Sequence, residues 1–238
     1  MAYDESYGYY RDTGLAPRFS ASWWAARFYA GLLRRQLPPG SRVLDLGCGL
    51  GNLLRELEQA FDSWGVDVSW FAVHQARANA RRSRLWVGDL ASLEALPAAS
   101  FDAVVAKHVL EHFPDPERAV RAIAGALRPG GVFLMAVPNT RSLLRPLKGD
   151  RWIGVKDPTH CSVLPPAYWT GAATRAGLVV RRTFSDGFWD VPYVPLLPAR
   201  LQLPLFGCLA ILQVVAGRPF IPVPLGESFF LIAHRPGR

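Results

Sequence analysis

The chain has little cysteine and less lysine than its charge suggests. Its three cysteines, Cys48, Cys161 and Cys208, are far apart and form no CxxC pair. Neither a disulfide framework nor a cysteine zinc site is supported, and a reducing compartment fits. Three of the 27 cationic side chains are lysine, so arginine carries the net charge of +8. The densest cluster, Arg77 to Arg84, reads as a solvated helix face, and no nucleic-acid partner is expected. The opening MAYDESYGYY is polar and acidic where an export signal needs a basic flank and an apolar run, so the expected location is cytoplasmic. There is no internal repeat and no low-complexity linker. A full-length spanning segment is missing too. The uncharged run Leu201 to Gly217 has 17 residues and contains Gln202, Pro204 and Gln213, whereas a spanning helix needs about 20 apolar residues.

What is present is a rhythm. From Arg42 onward the runs RVLDLGCG, SWGVDVS, RLWVGDL, FDAVVAKHV and GGVFLMAVPN alternate with helix-like segments, the βαβ pattern of a parallel sheet. The segment DPERAVRAIAGALRPGG opens with proline after aspartate and closes with Pro-Gly-Gly, so it predicts a helix ended at the glycines. Two later runs, GLVVRRTFSD and ESFFLIAHR, can finish the sheet. Ser20 to Leu37 predicts a helix covering it, with Trp24, Phe28, Leu32 and Gln36 on one face. The tyrosines before it, Tyr3, Tyr7, Tyr9 and Tyr10, suit a lid over a ligand. The expected organisation is one domain over residues 1–238. Residues 1–37 form the lid and helix, 38–139 the core, 140–187 a loop, helix and sixth strand, 188–227 an apolar insertion, and 228–238 the last strand.

The first strand runs into DLGCGLG, Asp45 to Gly51, and then into a helix. Glycines at such a junction let a ligand approach the backbone where helix amides point outward. A dinucleotide fingerprint wants a third glycine where this chain has Asn52, which leaves a NAD-dependent reductase as the rival reading. Asp67 ends the second run, where an acid can accept both hydroxyls of a ribose. Asp89 ends the third, where it can accept from an adenine amino group.

With these residues in register the sequence resembles the class I S-adenosylmethionine-dependent methyltransferases, in the branch related to ubiquinone and menaquinone methyltransferases. The resemblance runs well from Ala25 to Asn139 and loosely beyond. It implies a Rossmann-like α/β fold of seven strands with helices on both faces, the seventh strand antiparallel between the fifth and sixth. It also implies a cofactor site. Gly47, Cys48, Gly49 and Gly51 would lie under the methionine part, with Asp45 arranging contacts to its amino group. Asp67, followed by Val68, would hold the ribose, Asp89 with Leu90 would border the adenine, and Lys107 to His112 would follow strand four beside the methyl.

Methyl transfer from a sulfonium is an in-line displacement, so positioning supplies much of the rate, and a hydroxyl acceptor also benefits from a base. Histidine, with an ordinary pKa of about 6.5, suits that task. His108, His112 and His160 compete. His160, in KDPTHCSV after strand five, is preferred as the catalytic residue, with His108 as a second candidate, while bonding of His160 within the turn made by Asp157 and Thr159 stays open. Some relatives hold a divalent metal through E-x-x-E-H at this place. This chain has H-x-x-E-H, His108 replacing the first glutamate, and no metal is assigned.

The forty or so residues between the sixth and seventh strands are expected at the carboxyl edge of the sheet, where a short turn would suffice. Two readings are open: an apolar lid, or an in-plane or re-entrant membrane element whose neighbours Arg141, Arg145, Lys148, Arg151 and Arg218 meet anionic headgroups. The expected function is S-adenosylmethionine-dependent O-methylation of a hydrophobic or lipid-linked small molecule in the cytoplasm, with an anionic membrane surface as the open partner. A soluble natural-product or sugar methyltransferase with an apolar lid, and a non-catalytic cofactor-binding subunit, are the alternatives.

Overall fold

The computed structural model describes residue 18, residues 20–88 and residues 96–237. The tyrosines proposed as a lid lie outside them. Along the chain come α1 (Ala21–Arg34), β1 (Arg42–Leu46), the one-turn α2 (Leu54–Leu57), β2 (Asp62–Asp67), α3 (Trp70–Asn79), β3 (Arg84–Val87) and β4 (Phe101–Lys107). A 3-10 turn (Leu110–His112), α4 (Pro116–Ala126), β5 (Leu127–Pro138), and the one-turn α5 (Arg145–Lys148) and α6 (Ile153–Lys156) follow. Then come α7 (Pro166–Arg175), β6 (Val179–Ser185), α8 (Ala199–Ala216) and β7 (Ser228–His234). Among the described residues seven strands form one sheet in the order β3-β2-β1-β4-β5-β7-β6. Pairs β1/β2, β1/β4 and β2/β3 are parallel, as the βαβ rhythm predicts, and β6/β7 is antiparallel, as the family resemblance implies.

The chain divides into two compact units, one comprising Met1–Lys107, Ala122–Phe133 and Arg235–Arg238, the other His108–Arg121 and Leu134–His234. In the first, β1 is buried from Val43 to Leu46, as expected of a parallel strand covered on both faces. Its register with β2 pairs Asp45 with Gly65 and Leu46 with Val66, so Asp45 and Asp67 stand near the carboxyl ends of neighbouring strands. Gly65 leaves room for its neighbours: a Cβ there would sit 2.6 Å from Leu54 Cδ1 and 2.7 Å from Leu85 Cδ2, so both leucines would have to shift.

Two sequence expectations change in this unit. Helix α1 is capped by Ser20, whose Oγ accepts from Trp23 N–H at 3.2 Å. It buries Trp23, Phe28, Tyr29, Leu32 and Leu33 and leaves Trp24 exposed. The tryptophans exchange roles because an i, i+3, i+4 stripe can start at either, and the Arg27 guanidinium lies 4.7 Å over the Trp23 ring. Helix α4 stops at Ala126, and Leu-Arg-Pro-Gly-Gly belongs to β5. The strand is lengthened by partners far along the chain: Gly130 N–H donates to Arg235 O and Arg235 N–H to Gly131 O.

In the second unit β7 is buried from Ser228 to Ala233, and Phe230 stacks on Phe184 of β6 at 4.7 Å. Helix α8 is turned inside out. Its buried residues are Gln202, Gly207 and Gln213, whereas Leu201, Leu205, Ile211, Leu212 and Val215 are exposed. The glutamines are held by backbone. Gln202 Oε1 accepts from Tyr193 and Val194 N–H, and its Nε2 donates to Val194 O and Leu197 O. Gln213 Nε2 donates to Ser185 O at 2.8 Å, and its Oε1 accepts from Phe220 and Ile221 N–H at 2.8 and 3.0 Å. Replacing Gln213 by leucine strands three backbone groups, two of them on buried residues. The Gln213→Leu variant is therefore expected to lose about 2–4 kcal/mol of stability, measured as a lower thermal midpoint.

Candidate functional site

The first unit carries a backbone loop built for close approach. Gly47, Gly49 and Gly51 have φ of 70°, 51° and 81°, the left-handed region that glycine enters without strain. The loop folds back on β2: Gly47 and Cys48 N–H both donate to Val66 O, at 2.8 and 3.0 Å. Asp67 fastens it further, with Oδ2 accepting from Gly49 N–H at 2.8 Å and Oδ1 from Ser69 N–H at 2.9 Å. Ser69 in turn caps α3 by accepting from Ala72 N–H. Gly51 is needed for packing, since a Cβ there would lie 3.0 Å from Ala76 Cβ of α3.

Asp45 is buried behind this loop, and burial raises its pKa to about 7, with Lys107 pulling it down and Asp67 pushing it up. A buried carboxyl of this kind fits a ligand that brings a cation. The Lys107 ammonium lies 5.4 Å over the Tyr29 ring. Burial also raises the Cys48 thiol, which stays protonated and inert. Val68 is exposed beside Asp67. Asp89 and Leu90 lie outside the described residues.

The second unit gathers the three histidines around one carboxylate. Glu111 is fully buried in the 3-10 turn; its Oε1 is 3.2 Å from His108 Nδ1 and 3.9 Å from His160 Nε2, and its Oε2 has no hydrogen-bond partner among the described residues. The loop carrying His160 is tied down by Cys161 and Ser162 N–H, which both donate to Glu111 O. The His112 and His160 rings meet edge to face at 4.7 Å.

Hydrogen bonding fixes the tautomers. Gly154 O can only accept, so His160 Nδ1, at 3.1 Å, carries the proton and Nε2 keeps its lone pair when the ring is neutral. The Thr159 hydroxyl donates to Asp157 Oδ1 at 2.6 Å and therefore accepts from His112 Nδ1 at 2.8 Å, which makes His112 Nε2 an acceptor as well. Burial lowers the His112 pKa, against Glu111, which raises it. His108 differs, having both nitrogens engaged, Nδ1 by Glu111 and Nε2 by Ser228 Oγ at 3.2 Å. It also sits at φ 50°, an uncommon conformation for a side chain of its size.

Glu111, His112 and His160 offer ligand atoms within 4.8 Å of one another. Two imidazole lone pairs beside an unpartnered carboxylate oxygen suit a borderline divalent cation, which would act there as a Lewis acid on an acceptor oxygen. The structure replaces the tripod read from H-x-x-E-H, because His108 turns to Ser228 and His160 comes in from another loop.

Sequence reasoning missed Ser228 and the polar layer around it. Ser228 N–H donates to Asp186 Oδ1 at 2.8 Å, and Tyr193 Oη donates to the buried Glu227 at 2.7 Å. The one signal was the polar pair Glu227-Ser228 opening an otherwise apolar strand.

A family model described as a methyltransferase domain matches residues 23–183. The ubiquinone biosynthesis O-methyltransferase of Xanthomonas axonopodis pv. citri (strain 306) is 38% identical over 108 residues, 43% of this chain and 45% of that protein. The protein of the same name from Bordetella avium (strain 197N) is 33% identical over 152 residues, 58% of this chain and 62% of that one. The chain thus spans about half the length of such curated relatives. Among solved structures, a chain from the complex between the Haloferax volcanii Trm112 methyltransferase activator and a methyltransferase superposes with TM-score 0.67 at 24% identity, covering 95% of this chain and 94% of that one. An S-adenosylmethionine-dependent methyltransferase of Mesorhizobium loti gives TM-score 0.62 at 22% identity over 91% and 99%. The structures share the fold, and the family model spans the glycine loop, the histidine cluster and most of the sheet. The chain belongs to the methyltransferase-domain family.

Proposed function

We propose that this chain is a class I S-adenosylmethionine-dependent methyltransferase that methylates an oxygen of a hydrophobic or lipid-linked small molecule at the cytoplasmic face of a membrane. The observation that carries the cofactor is the left-handed glycine loop closed by Asp67 over a buried carboxyl, Asp45, that lacks a full counter-charge. The curated relatives, named as O-methyltransferases, support an oxygen acceptor.

When bound, S-adenosylmethionine supplies a methyl on a sulfonium, displaced in line by the acceptor oxygen while the sulfur leaves with the bonding pair. Asp45 holds the amino group of its methionine part, and Asp67, held at the loop by Gly49 and Ser69 N–H, accepts from the ribose. Val68 borders the nucleoside, and Asp89 with Leu90 is assigned to the adenine. His160 Nε2 takes the acceptor proton, and Glu111 steadies the imidazolium that forms. His108 positions Glu111 from the Ser228 side.

Asp67→Ala is expected to weaken S-adenosylmethionine by about 1.5–3 kcal/mol in calorimetry, through lost charge-assisted hydrogen bonds. Asp67→Asn should recover part of this, because an amide oxygen can still accept from Gly49 N–H. Unchanged affinity in Asp67→Ala, or tight NAD binding by the native protein, would overturn the cofactor. The acceptor is identified as the extract component that gains one methyl, about 14 mass units, on incubation with protein and S-adenosylmethionine.

A further inference from the structure

Helix α8 contradicts the ordinary rule for a surface helix. Its inner face is made of Gln202, Phe206, Ala210 and Gln213, at i+4, i+4 and i+3. Its outer stripe is Leu201, Leu205, Cys208, Leu212 and Val215, at i+4, i+3, i+4 and i+3, all exposed, Val215 at 74%. Among the described residues it is the one helix long and apolar enough to cross a membrane, and 17% of it is buried. A packed lid would bury the leucines; here the two polar side chains are inside.

The glutamines also decide the orientation. They are eleven residues apart, about 16 Å along the axis, and each is bound on both its oxygen and its nitrogen to backbone of the folded unit. Crossing a bilayer would tear both clamps out. Lying flat on a bilayer keeps them and covers the apolar stripe.

Charge names the surface. Between Val191 and Gly226 the sequence has Arg200 and Arg218 and no acid. The adjoining segment adds exposed Arg141, Arg145 and Arg151, beside exposed Leu143 and Leu147. It is joined to the helix through Lys148, which pairs with Asp190 at 2.9 Å and lies over the Tyr193 ring, itself 5.1 Å from Phe206. Lys148 is buried in that pair, so of the five cations the sequence assigned to headgroups, four remain exposed.

We propose that α8 is an in-plane membrane anchor: its Leu201-to-Val215 stripe enters the headgroup–acyl boundary of an anionic bilayer while Arg200, Arg218 and the Arg141–Arg151 segment meet the headgroups. This deepens the lipid side of the function above and does not depend on methyl transfer, because docking is measured with neither cofactor nor acceptor. Failure here leaves the transferase standing, and failure of turnover leaves the anchor standing.

The test is flotation of the full chain with vesicles of phosphatidylglycerol and phosphatidylcholine. The native protein is expected to float, and the floated fraction to fall about tenfold between low and high salt. Leu205→Glu with Leu212→Glu should abolish flotation and leave the melting temperature unchanged, because both side chains are already exposed. Should that pair impair folding, Arg200→Glu with Arg218→Glu provides a second reading, expected to cut anionic binding and spare the fold. Native protein that stays unfloated, or floats equally on pure phosphatidylcholine at high salt, overturns the proposal. So does a lipid-free dimer, seen by sedimentation, that Leu205→Glu with Leu212→Glu dissociates, which would assign the stripe to a second copy of the chain.

Discussion

Asp45→Asn is expected to stabilise the cofactor-free protein at pH 8 by roughly 4 kcal/mol while weakening S-adenosylmethionine. The sign follows from where the proton sits. In the folded chain the buried carboxyl keeps its proton up to about pH 7, whereas unfolded it releases it near 3.8. Between those values the folded state binds more protons, so stability falls as pH rises, and above about 7 the whole difference is lost, of order 4 kcal/mol. Asparagine carries no titrating proton, so the variant should match the native protein near pH 3.5 and exceed it at pH 8. Ligand binding should run the other way. A cationic amino group prefers the ionised carboxylate, so native affinity should tighten about tenfold from pH 6 to pH 8 and level off above, and the variant should show no such rise. Thermal melts and calorimetry at four pH values check both halves. A native affinity independent of pH would remove Asp45 from the cofactor site.

His160→Ala should cut turnover about a hundredfold or more and leave S-adenosylmethionine affinity unchanged, because the role proposed for Nε2 is to take the acceptor proton and not to hold the cofactor. A loss confined to the acceptor KM would reduce His160 to positioning. His108→Ala should cost less, since both its ring nitrogens are bonded to protein groups. Turnover should survive chelation; loss on chelation with rescue by a divalent cation would reassign Glu111, His112 and His160 as its ligands.

The parts of this site that could be read in the sequence are those set by short-range spacing. Asp45, the three glycines and Asp67 lie at the ends of two adjacent strands, and their order alone places them. The convergence on Glu111 could not be read, since it depends on a loop some fifty positions away that is tied to the Glu111 carbonyl by two backbone bonds. The H-x-x-E-H spacing suggested a helical tripod, but the 3-10 turn covers only Leu110–His112, and His108 stands before it with a positive φ of 50°. In α8 composition gave the grease but not its side. The clamping partners lie at Ser185, Tyr193 to Leu197, and Phe220 to Ile221, none of them predictable from the helix itself. The length of β5 failed in the same way, decided by backbone groups at Arg235, about a hundred positions on, whereas the phase of α1 turned on a choice within the helix, where Arg27 covers Trp23.

The strand order has a bearing on synthesis. Strand β7 lies between β5 and β6, so β6 reaches the sheet only through a strand made after it. Residues 139–227 must leave the ribosome between the end of β5 and the start of β7, roughly 5–20 s at ordinary elongation rates. During that interval the outer edge of β5 lacks its final neighbour, and the apolar stripe of α8 emerges before the strand that completes the sheet. A nascent chain with an open strand edge and an uncovered greasy helix is a substrate for holding chaperones. A bilayer close to the ribosome would shield the helix in the same interval, so the membrane proposed for the finished protein would also guard its assembly.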